Sequence, residues 1–397
     1  MRILFQCSEY PPFRSGGIGT VTKIVAEELV KRGHFVCICG YYCDLSVREQ
    51  IEEINGVMVY SFNKGTRKGK LRKWLIQVLN IFGLAGSFIK SELSWYEEKI
   101  AQIICKNGID ILEMTDFYSF NFFRANLQYR RFNVPTVMRV HGAASFIQRF
   151  SGNNKIWVLN NDRRHFSRVD YLCSVSEFAE RYVQETFPEI TYRGKRVVYN
   201  PIENSFLKQN KPSESKSILF IGKLIATKGA YVLAKAFNIL SEEFPEWDLR
   251  YAGNGNKEDI LELLSPEVKK RVVFLGFCNR QKIAEEIDNC SFACIPSFFE
   301  NFSMVPLEIM GRARAVIFTK RTSGSEIINN GVDGFTVNPD DLTEVCEKLR
   351  LLVEDSRLRN EFARRGYMKV KNNFTIDIVI SQLLDLYGGL IQKKTES

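Results

Sequence analysis

The amino-acid sequence predicts an α/β protein made of two βαβ domains, and three observations support this prediction. The chain has 397 residues, more than one ordinary hydrophobic core organises, so two domains are expected. Short apolar runs alternate with segments of helical periodicity, which is typical of parallel sheets. The alternation starts at Ile3 and starts again at Ile218, directly after a polar stretch. Because open parallel sheets bind ligands at the carboxyl ends of their strands, we expect two such edges to face each other across a cleft.

The first domain begins with a strand, a loop, a helix and a second strand. Ile3–Cys7 is a short apolar run typical of a buried parallel strand, and a loop rich in Pro and Gly follows it. The helix is predicted from apolar residues at helical spacing, namely Ile18, Val21, Val25 and Leu29. Phe35–Cys39 predicts the second strand, which completes a βαβ unit.

The second domain shows the same order of elements. A strand at Ile218–Ile221 is followed by a loop, Gly222–Gly229, and by a helix with apolar residues on one face. Further apolar runs predict strands at Leu249–Ala252, Val272–Leu275, Phe292–Ile295 and Ala315–Phe318. These patterns place the domain boundaries at residues 1–206 for the first domain, 207–217 for a polar linker and 218–373 for the second domain.

Composition restricts the class of protein and its compartment. The formal net charge of +9 favours anionic partners such as nucleotides, lipid headgroups or nucleic acid, without choosing among them. Ten cysteines without a CxxC pair, and only three histidines, argue against a Cys/His zinc site and fit a reducing cytoplasm. The longest uncharged run, Trp74–Ile89, is shorter than the ~20 apolar residues of a spanning helix, so none is predicted.

Two glycine-containing loops are candidate phosphate sites. In the first domain, Gly16 and Gly17 lie between the first strand and the first helix, where the backbone can approach a phosphate. In the second domain, Gly222, Lys223 and Lys228 also lie between a strand and a helix, and the two lysines are placed to clamp a diphosphate. Neither loop has GxGxxG or Walker A spacing, so a plain tight turn and a solvated loop remain alternatives.

The segment Pro296–Glu308 contains two carboxylates eight residues apart across a strand–loop–helix junction. Pro306 suits the first turn of a helix that starts near Ser303. On a single helix the two carboxylates would lie ~12 Å apart along the axis, which does not match the ~5–9.5 Å of a glycosidase pair. We therefore expect Glu300 in the loop and Glu308 in the helix, each contacting a different part of one ligand. The alternative is a surface carboxylate and a helix-face carboxylate without a shared ligand.

His141 follows the strand-like run Thr136–Val140 and is expected at the carboxyl end of that strand. There it is either a functional residue of the cleft or a hydrogen-bonded loop residue. The sequence contains no Asp-x-Asp, so no carboxylate pair for Mg²⁺ or Mn²⁺ is apparent and no metal site is predicted. The charge of a leaving diphosphate would then be met by lysines, backbone N–H groups and a helix dipole.

The combination of Glu300-x7-Glu308 with Gly222-Lys223-Leu224 and Lys228-Gly229 resembles the retaining glycosyltransferases of family 4, the group 1 glycosyl transferases. The resemblance spans nearly the whole chain and implies the GT-B fold, in which two Rossmann-like βαβ domains face each other across an interdomain cleft. It implies that residues 1–206 bind the acceptor and residues 218–373 bind a nucleotide-sugar donor. It also implies that a last helix within residues 374–397 crosses back to the first domain.

The resemblance implies roles for individual residues. Lys223 and Lys228 would hold the donor diphosphate, and Glu300 would contact hydroxyl groups of the transferred sugar. Glu308 would hold the nucleotide ribose, and His141 would lie near the sugar. Backbone that would meet the donor belongs to Gly16, Gly17, Gly222, Asn301, Phe302 and Ser303. The chain departs from the family pattern at Lys223, which is usually arginine, at Gly142, which is often Asp, and at Ser325, which is often Pro.

The implied activity is transfer of a hexose, with retention of configuration, from a UDP- or GDP-hexose to a glycan or lipid-linked acceptor in surface-polysaccharide biosynthesis. The implied mechanism is front-side attack without a cofactor or a metal. The alternatives are a GT-B nucleotide-sugar epimerase, a phosphorylase, and a non-enzymatic module that binds nucleotide sugar or nucleic acid. A phosphorylase is normally much longer and carries a pyridoxal-binding lysine, which cannot be identified in this sequence, and nucleic acid is not among the expected partners.

One sequence feature concerns the acceptor. Residues 64–73 contain six basic side chains, and the uncharged segment Trp74–Ile89 follows them. A basic stretch joined to an apolar segment favours peripheral contact with an anionic membrane, which would place the protein at the inner face of the cytoplasmic membrane. The alternative is a basic loop before a helix that packs inside the first domain.

Overall fold

A computed structural model describes residues 1–11, 16–42, 45, 47–63, 78–150, 152–153 and 155–395 of the chain. These residues form two compact units, and each is described below by itself. The first unit comprises Met1–Pro201 together with Val379–Ser397, and the second comprises Ile202–Ile378. The basic residues 64–73 and the start of the uncharged segment lie outside the described residues.

The first unit is built on an eight-stranded sheet with the spatial order β3-β4-β2-β1-β5-β6-β7-β8. The strands are β1 (Arg2–Gln6), β2 (Phe35–Tyr41), β3 (Glu49–Ile54), β4 (Val57–Phe62), β5 (Ile111–Thr115), β6 (Thr136–Val140), β7 (Tyr171–Ser174) and β8 (Gly194–Val197). All neighbouring pairs are parallel except β3 and β4, which form a hairpin at the edge. Its two turn residues, Asn55 and Gly56, both have positive φ, as a tight hairpin turn requires.

Helices cover the sheet of the first unit. They are α1 (Gly17–Lys31), α2 (Gly86–Asn107), α3 (Ala144–Phe150), α4 (Ile156–Ser167) and α5 (Glu177–Thr186). Helix α1 buries the predicted apolar stripe at Val21, Val25 and Leu29 against the sheet. The apolar strands, which are buried on both faces, and these helices form one core, as the βαβ pattern predicted.

The second unit is a six-stranded sheet in which every described strand pair is parallel, with the order β11-β10-β9-β12-β13-β14. The strands are β9 (Ser217–Ile221), β10 (Asp248–Ala252), β11 (Val272–Gly276), β12 (Phe292–Ile295), β13 (Ala315–Thr319) and β14 (Phe335–Val337). Each predicted strand of this domain is present within one residue of its predicted ends. The order places β9 beside β12 and β12 beside β13, so the loops that follow these three strands lie at one edge.

Among the described residues, nine α-helices come after β9. Eight belong to the second unit, and the last continues into the first. They are α6 (Ala230–Glu243), α7 (Lys257–Leu261), α8 (Pro266–Lys269), α9 (Arg280–Asn289), α10 (Met304–Gly311), α11 (Gly324–Ile327), α12 (Leu342–Glu354), α13 (Ser356–Asn373) and α14 (Ile376–Thr395). Several begin at a residue whose side chain accepts a first-turn N–H, for example Asn279 before α9 and Asp341 before α12. Such caps fix where the helices start.

The polar segment predicted as a linker, residues 207–217, belongs to the second unit. The backbone N–H of Lys208 donates to the carbonyl of Gly311 at 2.9 Å, and the Asn210 amide donates to Asp288 at 2.6 Å. Polar composition therefore marks a segment held by hydrogen bonds along the surface of this unit. The compact units separate after Pro201, earlier than the predicted boundary at residue 206.

The last helix, α14, returns the chain to the first unit, which includes Val379–Ser397. The Tyr387 hydroxyl donates to the buried carboxylate of Glu113 on β5, and Arg196 donates to the carbonyl of Gln382 at 3.5 Å. These contacts attach the C-terminal helix to the first sheet. No helix in the described part of the chain is long and apolar enough to cross a membrane.

Candidate functional site

Several of the functional residues predicted in the second unit lie at the carboxyl edge of its sheet. Ligands of open parallel sheets bind at this edge, because the loops there connect to helix N-termini. The loops after β9, β12 and β13 contain Lys228, Glu300 and Thr322, and the pairing of these strands brings the loops side by side. The strand order therefore assembles a site from segments more than 70 residues apart.

Gly229 allows the β9 and β12 loops to touch. Its φ is +76°, and a Cβ at this position would lie 2.0 Å from the carbonyl oxygen of Pro296. Only glycine permits so close an approach without moving backbone. The N–H of Phe298 donates to the carbonyl of Thr227 at 2.9 Å, which joins the same two loops. The sequence Lys228-Gly229 thus places the lysine directly beside the β12 loop.

Lys228 and Glu300 form an ion pair, with 2.8 Å between Nζ and Oε1. The Ser297 hydroxyl donates to the same carboxylate oxygen at 3.0 Å. The Glu300 side chain is 10% exposed and that of Lys228 is 34% exposed, so a ligand can reach both. Among the described residues no partner is found for Oε2 of Glu300, which leaves one carboxylate oxygen for a ligand.

The backbone of Glu300 is held by residues after β13. The N–H of Glu300 donates to the Thr322 hydroxyl at 3.3 Å, and that hydroxyl in turn donates to the Glu300 carbonyl. The Ser323 hydroxyl donates to the same carbonyl at 3.4 Å. Thr322 has φ +55°, an unusual conformation for a β-branched residue. Ser297 and Thr322 were not predicted as site residues, because hydroxyl residues in loops carry no distinctive pattern.

Gly222 and Lys223 lie in a loop locked to the neighbouring β10 loop. A Cβ on Gly253 would lie 1.9 Å from the Gly222 carbonyl oxygen, and the N–H of Leu224 donates to the Asn254 carbonyl at 2.9 Å. This packing explains the glycine after β10. The Lys223 side chain is exposed at the rim of the same edge. The structure thus gives Lys223 a fixed backbone and a solvent-facing ammonium group.

The predicted helix start after the β12 loop is confirmed. Helix α10 begins at Met304, with Ser303 as the residue before it and Pro306 in the first turn. The Ser303 side chain makes no capping hydrogen bond, so the first-turn N–H groups are not satisfied by this hydroxyl. Asn301 and Phe302 are buried, and the Phe302 ring packs against Phe374 at 6.0 Å between centroids.

Glu308 is buried in α10 and paired with Arg280, with 2.6 Å between Oε1 and Nη1. Burial raises the pKa of Glu308, and the charge of Arg280 opposes that rise. The Arg280 guanidinium lies 4.2 Å from the centroid of the Phe206 ring, and it also pairs with Glu203 at 3.4 Å. Glu308 is therefore separate from the Lys228–Glu300 pair and has its own cationic partner, Arg280, which was not predicted from the sequence.

In the first unit, Gly16 and Gly17 form the N-terminus of α1. The backbone N–H groups of Gly16 and Gly19 donate to one carboxylate oxygen of Glu9, at 3.0 and 3.4 Å. An acidic side chain thus occupies the position where an anion would meet the helix dipole. Gly17 is exposed, and no heavy atom lies within 4 Å of where its Cβ would be.

His141 lies after β6 as predicted, in a loop positioned by Asp116 from the end of the adjacent strand β5. The two carboxylate oxygens of Asp116 accept the N–H groups of His141 and Gly142 at 2.9 and 2.8 Å. Burial raises the pKa of Asp116 to about 7, despite these hydrogen bonds. Burial, reinforced by the nearby charge of Arg139, lowers the pKa of His141 to about 3, so the imidazole is neutral at physiological pH. Asp116 was missed in the sequence because a single Asp after a strand resembles an ordinary turn residue.

The structure therefore groups Lys228, Glu300 and Lys223 at one edge, with Glu308 deeper in α10. Gly16, Gly17 and His141 belong to the other unit. Within the described residues no group of three or more His, Cys, Asp or Glu side chains is arranged to hold a metal ion.

Comparison with known proteins gives the family. The model for glycosyl transferases group 1 matches residues 201–369, and the model for Glycosyltransferase Family 4 matches residues 15–206. An uncharacterized glycosyltransferase of Methanocaldococcus jannaschii is 26% identical over 98% of this chain and 98% of its own length.

Solved structures give the fold. Sucrose-phosphate synthase from Thermosynechococcus elongatus superimposes with a TM-score of 0.78 at 15% identity, covering 99% of this chain and all of that one. HepE of Anabaena, solved in complex with UDP-glucose, gives a TM-score of 0.66 at 16% identity over 98% of this chain and all of its own. Two family models that together extend from residue 15 to residue 369, and a fold shared over the whole length, show that the chain belongs to the group 1 glycosyltransferases of GT-B fold.

Proposed function

We propose that this glycosyltransferase moves a hexose from a nucleoside-diphosphate sugar to a glycan or lipid-linked acceptor, with retention of configuration, in surface-polysaccharide biosynthesis. The observation that supports it most is the Lys228–Glu300 pair at the carboxyl edge of the second sheet. Both side chains can be reached from solvent and are fixed by neighbouring loops. The cation suits the diphosphate of a sugar nucleotide, and the carboxylate suits the hydroxyl groups of its sugar. Family membership favours this function over an epimerase, a phosphorylase or a non-enzymatic binding protein.

In the proposed donor complex, Lys228 and the exposed Lys223 hold the diphosphate. Charge-assisted contacts from lysines stabilise the leaving group as its negative charge grows. The N-terminus of α10, which the Ser303 side chain does not cap, follows Asn301–Ser303 and offers a partial positive charge to the same anion. Oε2 of Glu300 accepts hydrogen bonds from sugar hydroxyls, while Oε1 stays engaged by Lys228 and Ser297.

Glu308 is proposed to hold the ribose. Because its carboxylate is buried against Arg280, a ribose hydroxyl would share this acceptor with the guanidinium. Arg280 is the more exposed partner, so it is the group that adjusts when nucleotide binds. A UDP-sugar is the first donor to test, because HepE binds UDP-glucose.

The proposed chemistry needs no metal and no protein nucleophile. Orientation of donor and acceptor and electrostatic stabilisation of the leaving diphosphate supply the rate enhancement. His141 serves as a neutral hydrogen-bonding group near the sugar, because its lowered pKa keeps it uncharged. Asp116 holds the backbone that presents it. Gly16 and Gly17 are proposed to approach the diphosphate, in which case Glu9 must give up its contact with Gly16.

The test is to incubate the purified protein with UDP-glucose and other nucleotide hexoses, with and without candidate acceptors. Free nucleotide together with a new glycoside supports transfer, and NMR of the product determines whether configuration is retained. An epimerised donor, or binding measured by thermal shift without turnover of any donor, contradicts the proposal and supports an alternative function.

Peripheral contact with an anionic cytoplasmic membrane is proposed as well. In the described residues after the basic segment, Ile81, Phe82 and Leu84 are each 70% exposed. Apolar side chains next to clustered basic residues suit an anionic interface. Phe82→Ser is expected to weaken co-sedimentation with anionic vesicles. Phe277→Ser is the matched control, because it removes an aromatic ring that is 79% exposed in the other unit. Equal vesicle binding by wild type and both variants would refute membrane contact through this segment.

A further inference from the structure

A cavity of about 270 Å³ opens in the first unit between helices α3, α4 and α5. Its polar lining includes Ser145, Gln148 and Tyr182, and the Tyr182 hydroxyl donates to that of Ser145 at 3.4 Å. Ile156 and Leu159 supply an apolar wall. The volume suits a group smaller than a typical drug molecule, such as a sugar or a polyol headgroup.

The charge of this cavity is positive. Arg149 and Lys155 line it, and each lies near an aromatic ring: Arg149 is 5.8 Å from Tyr182, and Lys155 is 5.7 Å from Trp157. In the part of the chain that the structure describes, no carboxylate forms an ion pair with either cation, and the lining residues include no Asp or Glu. An uncompensated pair of cations beside a cavity without acidic lining residues favours an anionic ligand.

The N-terminus of α4 adds to this field. The 12-residue helix begins at Ile156 in the cavity wall, has no side-chain cap at Lys155 and has no acidic residue in its first turn. Its first N–H groups therefore present partial positive charge where the two cations lie. Asp162, a buried acid, accepts from the N–H of the lining residue Ser145 at 2.6 Å and from Asn121 at 2.5 Å, so both of its oxygens are engaged by donors of the protein.

The cavity lies close to the residue expected to meet the sugar. Ser145 is four residues after His141, so chain geometry limits the distance between their Cα atoms to roughly 14 Å. A molecule anchored in the cavity by one end can therefore reach the neighbourhood of His141 with the other. This places the cavity in a position to hold an acceptor.

We infer that this cavity binds the phosphate group of a phosphorylated polyol or sugar acceptor, with Arg149, Lys155 and the N-terminus of α4 as its anion site. That the ligand is an acceptor rests on the proposed transfer function. That the cavity binds phosphate does not. The phosphate belongs either to a soluble sugar phosphate or to a lipid headgroup, since both present the same anion. The exposed side chain of Ile156, which lines the cavity, suits the apolar part of a lipid.

The experiment measures binding of glycerol phosphate and inorganic phosphate by calorimetry, and of phosphatidylcholine vesicles with and without phosphatidylglycerol by co-sedimentation. The double variant R149S/K155S is expected to raise the Kd for the bound probe at least tenfold, because each lost charge-assisted hydrogen bond costs about that factor. The control R181S/K195S removes two cations from the same unit that do not line the cavity, and it should bind like wild type.

A second variant, Ile156→Asp, excludes loss of folding as an explanation. A carboxylate at the start of α4 interacts favourably with the helix dipole but repels phosphate. The stability of the fold is therefore kept, and phosphate binding is lost. Binding of glycerol phosphate that both variants abolish supports a soluble acceptor, and loss seen only with anionic vesicles supports a lipid headgroup. No binding of any probe by wild type, or unchanged binding by R149S/K155S, overturns the inference even if donor turnover is normal. Phosphate binding by a protein that turns over no donor would instead reject the proposed function and leave the anion site in place.

Discussion

Replacing Glu300 by Gln tests the proposed site most directly. The substitution keeps the shape of the side chain and one oxygen acceptor, but removes the negative charge that faces Lys228 at 2.8 Å. Because Lys228 is one-third exposed, solvent screens the pair, and its loss should cost about 1 kcal/mol or less of folding free energy. For a unit of this size that corresponds to a fall in Tm of roughly 2–4 °C.

The expected effect on turnover is much larger than the effect on stability. Loss of one preorganised group that acts in the transition state typically reduces kcat by ~10²–10³-fold, equivalent to about 3–4 kcal/mol. Lys228→Ala should give a reduction of similar size, because it removes the cation proposed to meet the diphosphate. Together the two variants separate catalysis from folding, since neither is expected to unfold the protein.

The assay is release of nucleotide from the donor in the presence of acceptor, with Tm measured on the same preparations. Glu246→Gln is the matched control, because Glu246 pairs with Lys216 at 3.2 Å on the exposed surface of the same unit. It removes the same charge from a pair that is more exposed, with side chains 45% and 56% accessible, and should leave kcat and Tm nearly unchanged. Wild-type turnover in a folded E300Q or K228A protein would refute the roles assigned to this pair.

Three further predictions follow from the same structure. Turnover should survive excess EDTA, and loss of activity that Mg²⁺ or Mn²⁺ restores would show that a metal is required. Arg280→Met should lower the free energy of unfolding by about 2 kcal/mol, below the ~3–5 kcal/mol of a fully enclosed pair, because it leaves the buried carboxylate of Glu308 without its cation. Urea unfolding measures this free energy, and adding E308Q to R280M should recover part of it. No recovery would mean that the unpaired carboxylate of Glu308 is not the cause of the loss. Because the folded-state pKa of His141, about 3, lies below the unfolded value near 6.5, its contribution to stability is complete above pH 6.5 and is lost as pH falls towards 3. Between pH 7 and pH 5 wild type should therefore lose at most about 2 kcal/mol more than His141→Gln. Equal losses in urea unfolding would contradict the lowered pKa of this imidazole.

The fold could be predicted because its signals are local. Apolar runs such as Phe292–Ile295 need burial on both faces, which only a covered parallel strand provides, and the structure has a strand at those residues. The signal for the start of α10 was also local, because Ser303 suits the position before a helix and Pro306 suits its first turn. The β3–β4 hairpin was missed although its Asn55-Gly56 turn was a readable signal. The strand Glu49–Ile54 itself carries no alternation of polar and apolar residues, because its two isoleucines are three positions apart.

The sequence by itself determined two βαβ units and the loops in which Lys228, Glu300 and His141 lie, because strand, helix and turn preferences act over a few neighbouring residues. Only the tertiary structure decided which of these residues meet. Glu300 takes Lys228 as its partner because β9 and β12 are neighbours, and His141 depends on Asp116 because β5 and β6 are neighbours. Strand order is set by packing of the whole unit, so contacts across 25 or 72 residues leave no periodic trace in the chain. For the same reason the sequence predicted a polar linker at 207–217 without its contacts, whereas the structure shows that distant donors and acceptors hold this segment in place.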